Sequence, residues 1–417
     1  MRIALVGFGT VGSSVARILV ERPELADRLQ LTHVFNRGVA RKRVDWVPAS
    51  VTWTEDFDEL LAARPDVVVE VVGGIDPACQ WVSRAIGQGA SVVTANKMLL
   101  AAHGPELLHA AAEAGVQLRF EAAVGGGVPM ILGIREGIAG DVLNGVAGIL
   151  NGTCNYILSR MASTGEGMDV VLADAQRLGY AEADPTADVD GFDAAAKLIV
   201  LAGIAFHRHL RMEDVPRRTI RTLTRADFAY ANRLDCTIRQ ISRIRSDDRG
   251  FNGFVGPALV PLASRFGRNL GANNMVTVYG RYGGQSSFSG AGAGGPATAV
   301  AVVSDLLALA GGASARTAEE WSPAALVPAP RLPYYLRFVV RDRPGILATI
   351  AAALARQGVN LDAVLQEPDY PKDALPFVIT VEPCEEVALE RALEELGAAD
   401  WHAEPPLALP MLVGEDS

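Results

Sequence analysis

The sequence predicts an α/β protein with a doubly wound parallel sheet at the amino end, an α+β middle part and a small ferredoxin-like module at the carboxyl end. Over the first 125 residues, short Val, Ile and Leu runs alternate with helical patterns. That alternation is typical of parallel strands joined by right-handed crossovers. The middle mixes long Ala- and Leu-rich helical patterns with strand patterns, and a β-α-β-β-α order follows residue 331.

The amino-terminal elements follow from short apolar runs bounded by turn residues, which favour strands. Strands are predicted over Ile3–Val6, Leu31–Phe35, Val67–Val72, Ser91–Thr94 and Gln117–Glu121. Helices are predicted over Thr10–Leu19 and Pro105–Glu113.

A glycine-rich turn lies between the first strand and the first helix, in the sequence Gly-Phe-Gly-Thr-Val-Gly. The first glycine allows a tight turn, the second lets the backbone approach a pyrophosphate, and the third lets the helix pack close to the strand. A purely structural tight turn is the alternative. The pattern favours a Rossmann-type nucleotide-binding domain over residues 1–125. Its cofactor-binding residues are Gly7, Gly9, Thr10, Val11 and Gly12.

The end of the second strand decides which dinucleotide is expected. An NAD enzyme would have an acidic residue there, whereas this chain has Asn36-Arg37, followed by Arg41-Lys-Arg43. An arginine at that corner can hold a 2′-phosphate through two hydrogen bonds. NADP is therefore favoured, and NAD is the alternative cofactor. The alternative interpretation of the arginines is a solvated basic loop that binds no cofactor.

The middle segment, residues 126–315, is predicted to be an α+β substrate-binding and dimerisation domain. Helices are expected over Val170–Leu178 and Asp193–Ala205, and strands over Thr237–Ile244, Phe251–Val255 and Met275–Tyr279. The glycine clusters at 283–284 and 290–295 predict exposed turns.

The carboxyl-terminal module is predicted over residues 332–413, after an Ala- and Pro-rich linker at Gly311–Arg331. Its strands are expected over Tyr335–Val340, Asn360–Leu365 and Pro376–Val381, and its helices over Leu347–Gln357 and Glu385–Leu396.

The stretch from Tyr180 to Lys197 concentrates acidic residues ahead of a single lysine. Asp193 and Lys197 are four residues apart in a predicted helix, so they share one face. A crowded acidic loop beside one lysine suits a cationic substrate and a proton donor. A solvated loop with an ordinary ion pair is the alternative.

Composition excludes several classes of function. The net charge is −10 without a long basic run, so no nucleic-acid partner is expected. No uninterrupted apolar stretch reaches membrane-spanning length, and the first residues predict a strand and no leader peptide. The four cysteines are scattered, which is typical of reduced thiols in a cytoplasmic protein, and no zinc pattern is present.

Four separate motifs resemble homoserine dehydrogenase and stand in the order expected for that family. In chain order they are Thr94-Ala-Asn-Lys97, Glu121–Pro129, Asn151-Gly-Thr-Cys-Asn-Tyr-Ile157 and the acidic stretch 180–197. A fifth motif, Asp342-Arg-Pro-Gly345, resembles the turn of an ACT domain, so the resemblance covers nearly the whole chain. The resemblance implies a monofunctional homoserine dehydrogenase with a carboxyl-terminal ACT domain.

The resemblance also implies roles for individual residues. Glu182 and Asp193 would hold the substrate, together with Asp188, and Lys197 would be the proton donor. Lys97 would lie beside the nicotinamide and the substrate, next to Thr94 at the strand end. The sequence leaves open which lysine gives the proton, and family usage favours Lys197. The family usually has Pro where this chain has Ala183, which loosens the loop without removing a functional group.

The glycine-rich segment after the last strand of the first domain resembles the sodium site of the family. The implied ligands are the Glu121 carboxylate and backbone carbonyls of Val124, Gly126 and Val128. All-oxygen ligation suits a hard cation. A flexible hinge is the alternative interpretation.

Cys154 raises a rival enzyme, a semialdehyde dehydrogenase that works through a thioester. That chemistry needs a partnered histidine, and no comparable motif provides one. A non-catalytic amino-acid sensor is a second alternative, but it leaves the acidic stretch unexplained. No kinase-sized segment precedes Met1, so a bifunctional kinase-dehydrogenase is not expected.

The implied activity is reversible hydride transfer between NADPH and L-aspartate 4-semialdehyde, giving L-homoserine, in threonine and methionine biosynthesis. L-Threonine is the effector that best fits the ACT-like module. Because such modules usually bind effectors where two of them meet, a homodimer or homotetramer is expected.

Overall fold

The computed structural model describes residues 1–312, 320–367 and 370–414. The chain forms two compact units. The first unit contains residues 1–152, 193–215 and 273–325. The second contains residues 153–192, 216–272 and 326–417.

The amino-terminal part of the first unit alternates strands and helices as predicted. Its strands are β1 Arg2–Val6, β2 Gln30–Phe35, β3 Thr52–Thr54, β4 Val67–Glu70, β5 Ser91–Thr94 and β6 Leu118–Arg119. Its helices are α1 Thr10–Glu21, α2 Val39–Lys42, α3 Phe57–Ala62, α4 Ala78–Gly87 and α5 Lys97–Glu113, with 3-10 turns at Pro23–Leu25 and Glu121–Ala123.

These strands form one parallel sheet in the order β3-β2-β1-β4-β5-β6. The strand order reverses direction at β1, so loops after β1, β4 and β5 meet at one edge, where doubly wound sheets place ligands. The predicted Rossmann-type sheet is confirmed. The predicted strand Gln117–Glu121 is shorter, because Glu121 already belongs to a 3-10 turn. The sequence analysis missed β3, whose short run resembles a loop.

The middle of the chain supplies elements to both units. They are α6 Met130–Leu132, a π-turn Gly133–Gly137, β7 Leu143–Ile149, α7 Gly152–Thr164, α8 Met168–Arg177, α9 Thr186–Val189, α10 Phe192–Phe206, β8 Arg208–His209, a 3-10 turn Met212–Asp214, α11 Arg225–Arg233, β9 Cys236–Asp247, β10 Gly250–Pro261, α12 Arg265–Arg268, β11 Asn273–Gly280, β12 Gly284–Ala291, α13 Gly295–Ala310 and β13 Ser322–Pro323.

In the first unit, β11 pairs antiparallel with β7 on one side and β12 on the other. The expectation of exposed turns through 290–295 is wrong at both ends. Gly290 and Ala291 finish strand β12, and Gly295 begins helix α13. Gly295 is buried because its Cα lies against α1: a Cβ there would be 2.6 Å from the carbonyl oxygen of Thr10.

In the second unit, β9 and β10 form a long antiparallel hairpin. The carboxyl-terminal module follows, with β14 Leu332–Val340, α14 Ile346–Arg356, β15 Leu361–Gln366, β16 Leu375–Cys384, α15 Glu386–Gly397 and β17 His402–Pro410. Its sheet order is β15-β16-β14-β17. The ferredoxin-like prediction is confirmed, and β17 is a fourth strand that the sequence analysis missed.

The predicted linker is partly structured. Residues 313–319 of it lie outside the described residues. Beyond them, Trp321 is only 3% exposed, and β13 pairs with β8. The indole ring lies against Gly104 and Gly203, where a Cβ would be 2.6 Å and 2.4 Å from ring carbons. The Ala- and Pro-rich composition therefore did not reveal that Trp321 is buried, because a single tryptophan carries no periodic pattern.

Candidate active site

The glycine turn has the geometry that its pattern predicts. Gly7 adopts φ +103°, a left-handed conformation that favours glycine. A Cβ on Gly12 would be 2.0 Å from the Gly7 carbonyl oxygen, so α1 packs directly on the turn. A Cβ on Gly9, by contrast, would meet nothing within 4 Å. The turn thus presents open backbone at the amino end of α1, where an anion is stabilised.

The corner after β2 carries the residues expected to select the cofactor. The Asn36 amide donates to the Thr54 carbonyl at 3.1 Å, which fixes the backbone beside β3. Arg37, the next residue, is exposed. Its guanidinium is therefore accessible to a ligand at this edge of the sheet.

Glu70 is a buried carboxylate that the sequence analysis missed. It ends β4 and is 0% exposed. Its Oε2 accepts a hydrogen bond from the Thr94 hydroxyl at 2.5 Å, and its Oε1 accepts from the amides of Val72 at 2.8 Å and Gly73 at 3.3 Å. Glu70 therefore ties the loop after β4 to the end of β5. The sequence did contain a signal for this residue, since Glu70 directly follows three valines within a predicted strand.

Lys97 begins α5 directly after the strand end. Asn96 caps the helix, because its Oδ1 accepts from the Leu99 amide at 3.1 Å while its Nδ2 donates to the Gly74 carbonyl at 2.6 Å. These bonds fix the direction in which α5 leaves the sheet. The position of the Lys97 Cα is thereby set by both neighbouring loops.

Asp193 brings the two predicted lysines together. Lys197 Nζ lies 2.7 Å from Asp193 Oδ2, and Lys97 Nζ lies 3.2 Å from Asp193 Oδ1. The side chains of Asp193 and Lys197 are only 11% and 12% exposed, against 36% for Lys97. The structure thus unites three predicted residues from two distant segments around one carboxylate.

One side-chain amide and one backbone carbonyl complete this cluster. The sequence analysis gave a role to neither. The Asn151 Nδ2 donates to Asp193 Oδ2 at 2.9 Å, and Lys197 Nζ donates to the Leu150 carbonyl at 2.8 Å. Burial works to raise the pKa of Asp193. The charges of Lys197 and Lys97, with hydrogen bonds from Lys197 and Asn151, outweigh burial and hold that pKa well below its usual range. Asp193 is therefore an anion throughout the neutral range.

Glu121 is buried where the parallel sheet ends. Its carboxylate accepts from the amides of Ile131 at 3.0 Å and Leu132 at 2.7 Å, and its own amide donates to Asp305 Oδ2 at 2.9 Å. Burial, together with the charge of Asp305, raises the pKa of Glu121 to about 7, against the hydrogen bonds from Leu132 and Ile131. A cation beside this carboxylate would oppose that rise by favouring the ionised form.

The other predicted sodium ligands lie on a tightly turned segment. Val124 and Val128 are buried, and Gly126 has φ +57° with its Cα against the backbone of Gly292. Among the described residues, no group of three acidic, His or Cys side chains could hold a metal. A cation here would therefore depend on backbone carbonyls beside Glu121, a donor set that fits sodium.

The acidic segment of the second unit divides its carboxylates between structural and accessible positions. Asp184 accepts from the Thr186 amide at 3.1 Å, and Asp190 accepts from the Thr219 hydroxyl at 2.6 Å and from Arg221 Nε at 3.2 Å. Glu182 is exposed and Asp188 is half-buried. Glu182 is therefore the carboxylate of this segment that is best placed to meet a small molecule from solvent.

The geometry of Cys154 argues against the thioester alternative. The side chain is 0% exposed, and its Sγ donates to the Asp188 carbonyl at 3.2 Å. A nucleophilic thiolate needs access to substrate and a group that favours the anion. Cys154 instead packs in the apolar core of the second unit.

The carboxyl-terminal module contains a cavity of about 150 Å³ at its Asp-Arg-Pro-Gly turn. Gly345 adopts φ +96° at this turn and begins α14. Asp342 and Arg343 line the cavity with opposite charges, beside apolar groups that include Val364. This combination suits a small zwitterion with an apolar side chain.

The fold and the site together define a nicotinamide-dependent oxidoreductase with an attached small-molecule-binding module. Three family models match the chain: "Homoserine dehydrogenase, NAD binding domain" over residues 7–121, "Homoserine dehydrogenase" over residues 129–307, and "ACT domain" over residues 334–400. In the described part of the chain, no helix combines the length and apolar character needed to cross a membrane.

Relatives and solved structures agree with these models. A homoserine dehydrogenase of Mycobacterium tuberculosis is 44% identical over 88% of this chain and 86% of its own length. One from Pseudomonas aeruginosa is 37% identical over 97% of both chains. The crystal structure of a homoserine dehydrogenase from Thiobacillus denitrificans has a TM-score of 0.90 at 34% identity, covering 99% of this chain and 98% of its own. The chain belongs to the homoserine dehydrogenase family and is an NAD(P)-dependent oxidoreductase.

The lowered pKa of Asp193 predicts an acid-sensitive contribution to stability. The folded-state pKa lies below the value of about 3.9 for an unfolded chain, so ionised Asp193 stabilises the fold above that pH, and the contribution fades as pH falls. From about pH 6 to about pH 3, the wild type should lose about 1 kcal/mol more unfolding free energy than Asp193→Asn. Denaturant titrations across this range measure the difference, and equal losses in both proteins would contradict it.

Proposed function

We propose that the enzyme interconverts L-aspartate 4-semialdehyde and L-homoserine, in the route to threonine and methionine, with NADP as its preferred cofactor. The observation that carries the proposal is the pair of lysine ammonium groups held by the single buried carboxylate of Asp193. An aldehyde oxygen that gains negative charge needs such groups close by. In the second unit, the exposed carboxylate of Glu182 is suited to the substrate ammonium.

The protein's part in the reaction is to orient groups and to move one proton. When bound, the nicotinamide cofactor supplies or accepts the hydride. An ammonium has three N–H donors. Asp193 and the Leu150 carbonyl take two of those on Lys197. The third can donate to the substrate oxygen and transfer its proton as negative charge develops there.

Lys197 suits the donor role better than Lys97. Its ammonium is fixed by two bonds of 2.7 Å and 2.8 Å, whereas Lys97 makes a longer contact of 3.2 Å and is more exposed. A fixed donor loses less freedom when the transition state forms. Lys97 would add a second positive charge beside the same oxygen.

Replacing Lys197 by Ala should lower kcat about a hundredfold or more, because the proton donor is lost. The dissociation constant for NADPH, measured by its fluorescence, should change little, since the glycine turn is untouched. Lys372→Ala, on the surface of the module, is the matched control and should retain turnover when no effector is present. Activity of Lys197→Ala within a few-fold of wild type would remove Lys197 from the mechanism.

The preference for NADP rests on the corner after β2. Arg37 is exposed there, and no acidic residue occupies the position that would bind the ribose hydroxyls of NAD. A solved structure of a hyperthermophilic archaeal homoserine dehydrogenase mutant is in complex with NADPH; it has a TM-score of 0.64 and 25% identity, covering 74% of this chain and 96% of its own. That complex supports NADPH as a ligand for this fold.

Arg37→Asp should shift preference from NADPH towards NADH, because the new carboxylate repels a 2′-phosphate and accepts from ribose hydroxyls. Arg43→Asp makes the same charge change after α2 and should leave the ratio nearly unchanged. The ratio of kcat/KM for the two cofactors is the measurement. An equal shift in both variants would indicate general electrostatics and no contact by Arg37.

Sodium would be held by the Glu121 carboxylate and the carbonyls of Val124, Gly126 and Val128. Its charge would offset the unfavourable burial of Glu121, and it would brace the segment that leads from the parallel sheet into α6. This role is structural and contributes no step to hydride transfer.

Sodium chloride should raise the melting temperature of the wild type above that in choline chloride of equal ionic strength, because a bound ion stabilises the folded state. Glu121→Gln should lose this sodium-specific increment. Glu136→Gln, which neutralises an exposed carboxylate in the π-turn, should keep it. A wild type that melts equally in both salts would refute the site.

L-Threonine is the proposed inhibitor, bound in the cavity at the Asp-Arg-Pro-Gly turn. Within the second unit, the 219–224 segment connects the module to the acidic segment. Arg337 of β14 donates to the Thr222 carbonyl at 3.3 Å, while Thr219 and Arg221 bind Asp190. A change in the module therefore has packed, hydrogen-bonded neighbours leading towards Glu182 and Asp188.

Val364→Trp should abolish threonine inhibition, because Val364 lines the cavity and an indole would fill it. Val387→Trp is the matched control: Val387 is 45% exposed, close to the 46% of Val364, but lies on α15 away from the cavity lining. Rates without threonine should match the wild type in both variants. Threonine titrations give the inhibition constants. Light scattering separately measures whether the protein is the expected homodimer or homotetramer. Unaltered inhibition in Val364→Trp, or none in the wild type, would overturn the proposal.

A further inference from the structure

Asn274, on β11, shares a hydrogen-bond acceptor with Lys197. Its Nδ2 donates to the Leu150 carbonyl at 2.9 Å, and the Lys197 ammonium donates to the same oxygen at 2.8 Å. We propose that Asn274 is a positioning residue for Lys197 and acts through the Leu150 carbonyl. The inference rests on the proposed role of Lys197 as proton donor.

The strand register explains why a side chain is needed at this point. β7 and β11 pair as far as Ile149 opposite Met275, so the next opposed positions are Leu150 and Asn274. The chain leaves β7 there and enters α7 at Gly152. The Asn274 amide extends the attachment between the two strands by one position. It thereby fixes the direction of a carbonyl that lies beyond the end of the strand.

The surroundings of Asn274 fix the orientation of its amide group. Asn274 is 1% exposed, and a Cβ on Gly292 would be 2.0 Å from its Cγ. The amide is thus clamped between the Gly292 backbone and Leu150. Because a carbonyl can only accept, the amide nitrogen must face Leu150, and this leaves the Oδ1 buried with no hydrogen-bond partner among the described residues.

An unsatisfied buried acceptor argues against a role in stability alone. A core position selected only for stability favours a side chain without such an atom. The donor toward Leu150 is what an apolar residue of similar shape would not supply. The Leu150 carbonyl accepts from both Asn274 and Lys197, and so helps to fix the Lys197 ammonium relative to Asp193.

The test combines steady-state kinetics with a double-mutant cycle. Asn274→Ala should lower kcat about tenfold to a hundredfold, with KM for both substrates and the NADPH dissociation constant within about twofold, because a misplaced donor slows the transfer step without weakening binding. Asn274→Leu has a similar shape but no donor, so it should lose a similar factor. If the Ala variant does not fold, the Leu variant provides the same measurement.

Thr277→Val is the matched control. Thr277 lies on the same strand, is 2% exposed and pairs with the Ser287 hydroxyl at 2.9 Å, with no bond to Leu150. It should keep wild-type kcat, even if its melting temperature falls. A kcat loss in Thr277→Val equal to that in Asn274→Ala would show a general effect of strand stability and overturn the proposal.

The cycle with Lys197→Ala separates this inference from the proposed function. In that background, Asn274→Ala should have no further effect on turnover, because the group it positions is absent. Full additivity, or an unchanged kcat of Asn274→Ala in the wild-type background, would refute the positioning role alone. A Lys197→Ala variant with normal turnover would refute the proposed proton donor itself.

Discussion

The buried carboxylate of Asp193 is the constraint on which the candidate active site of the first unit depends. It holds two lysine ammonium groups that would otherwise repel each other, and it stays ionised because their attraction outweighs its own burial. A carboxylate in such surroundings without partners would take up a proton. The three charged groups therefore stabilise one another. Because Lys97 lies on α5 and Asp193 on α10, their ion pair also holds these two helices together.

Hydrogen bonds from strand ends and loops surround this cluster and limit its freedom. Glu70 ties the loop after β4 to Thr94, Asn96 caps α5, and the Leu150 carbonyl receives Lys197. Each bond involves a residue at a strand end, just beyond one, or at a helix start, where backbone groups lack regular partners. The polar groups that form hydrogen bonds at the ends of strands and helices thus also fix the side chains of the candidate site.

The second unit combines the acidic segment and the ACT module around its own polar contacts. Arg337 and Asp227 form a buried ion pair with a 2.5 Å contact, and Tyr335 donates to the same carboxylate at 3.0 Å. Removing one member of such a pair leaves an uncompensated charge in the interior. Buried polar contacts therefore attach the module to the rest of this unit.

The sequence by itself determined the features that depend on neighbouring residues. Steric limits fix the glycine turn from Gly7 to Gly12, and helical spacing places Asp193 beside Lys197. Family resemblance added Lys97 and Glu121. Only the tertiary structure decided which distant groups meet: Glu70 with Thr94, Glu121 with the start of α6, Asn274 with Leu150, and Trp321 with Gly104 and Gly203. Such partners carry no periodic signal, because packing between elements selects them and local propensity does not.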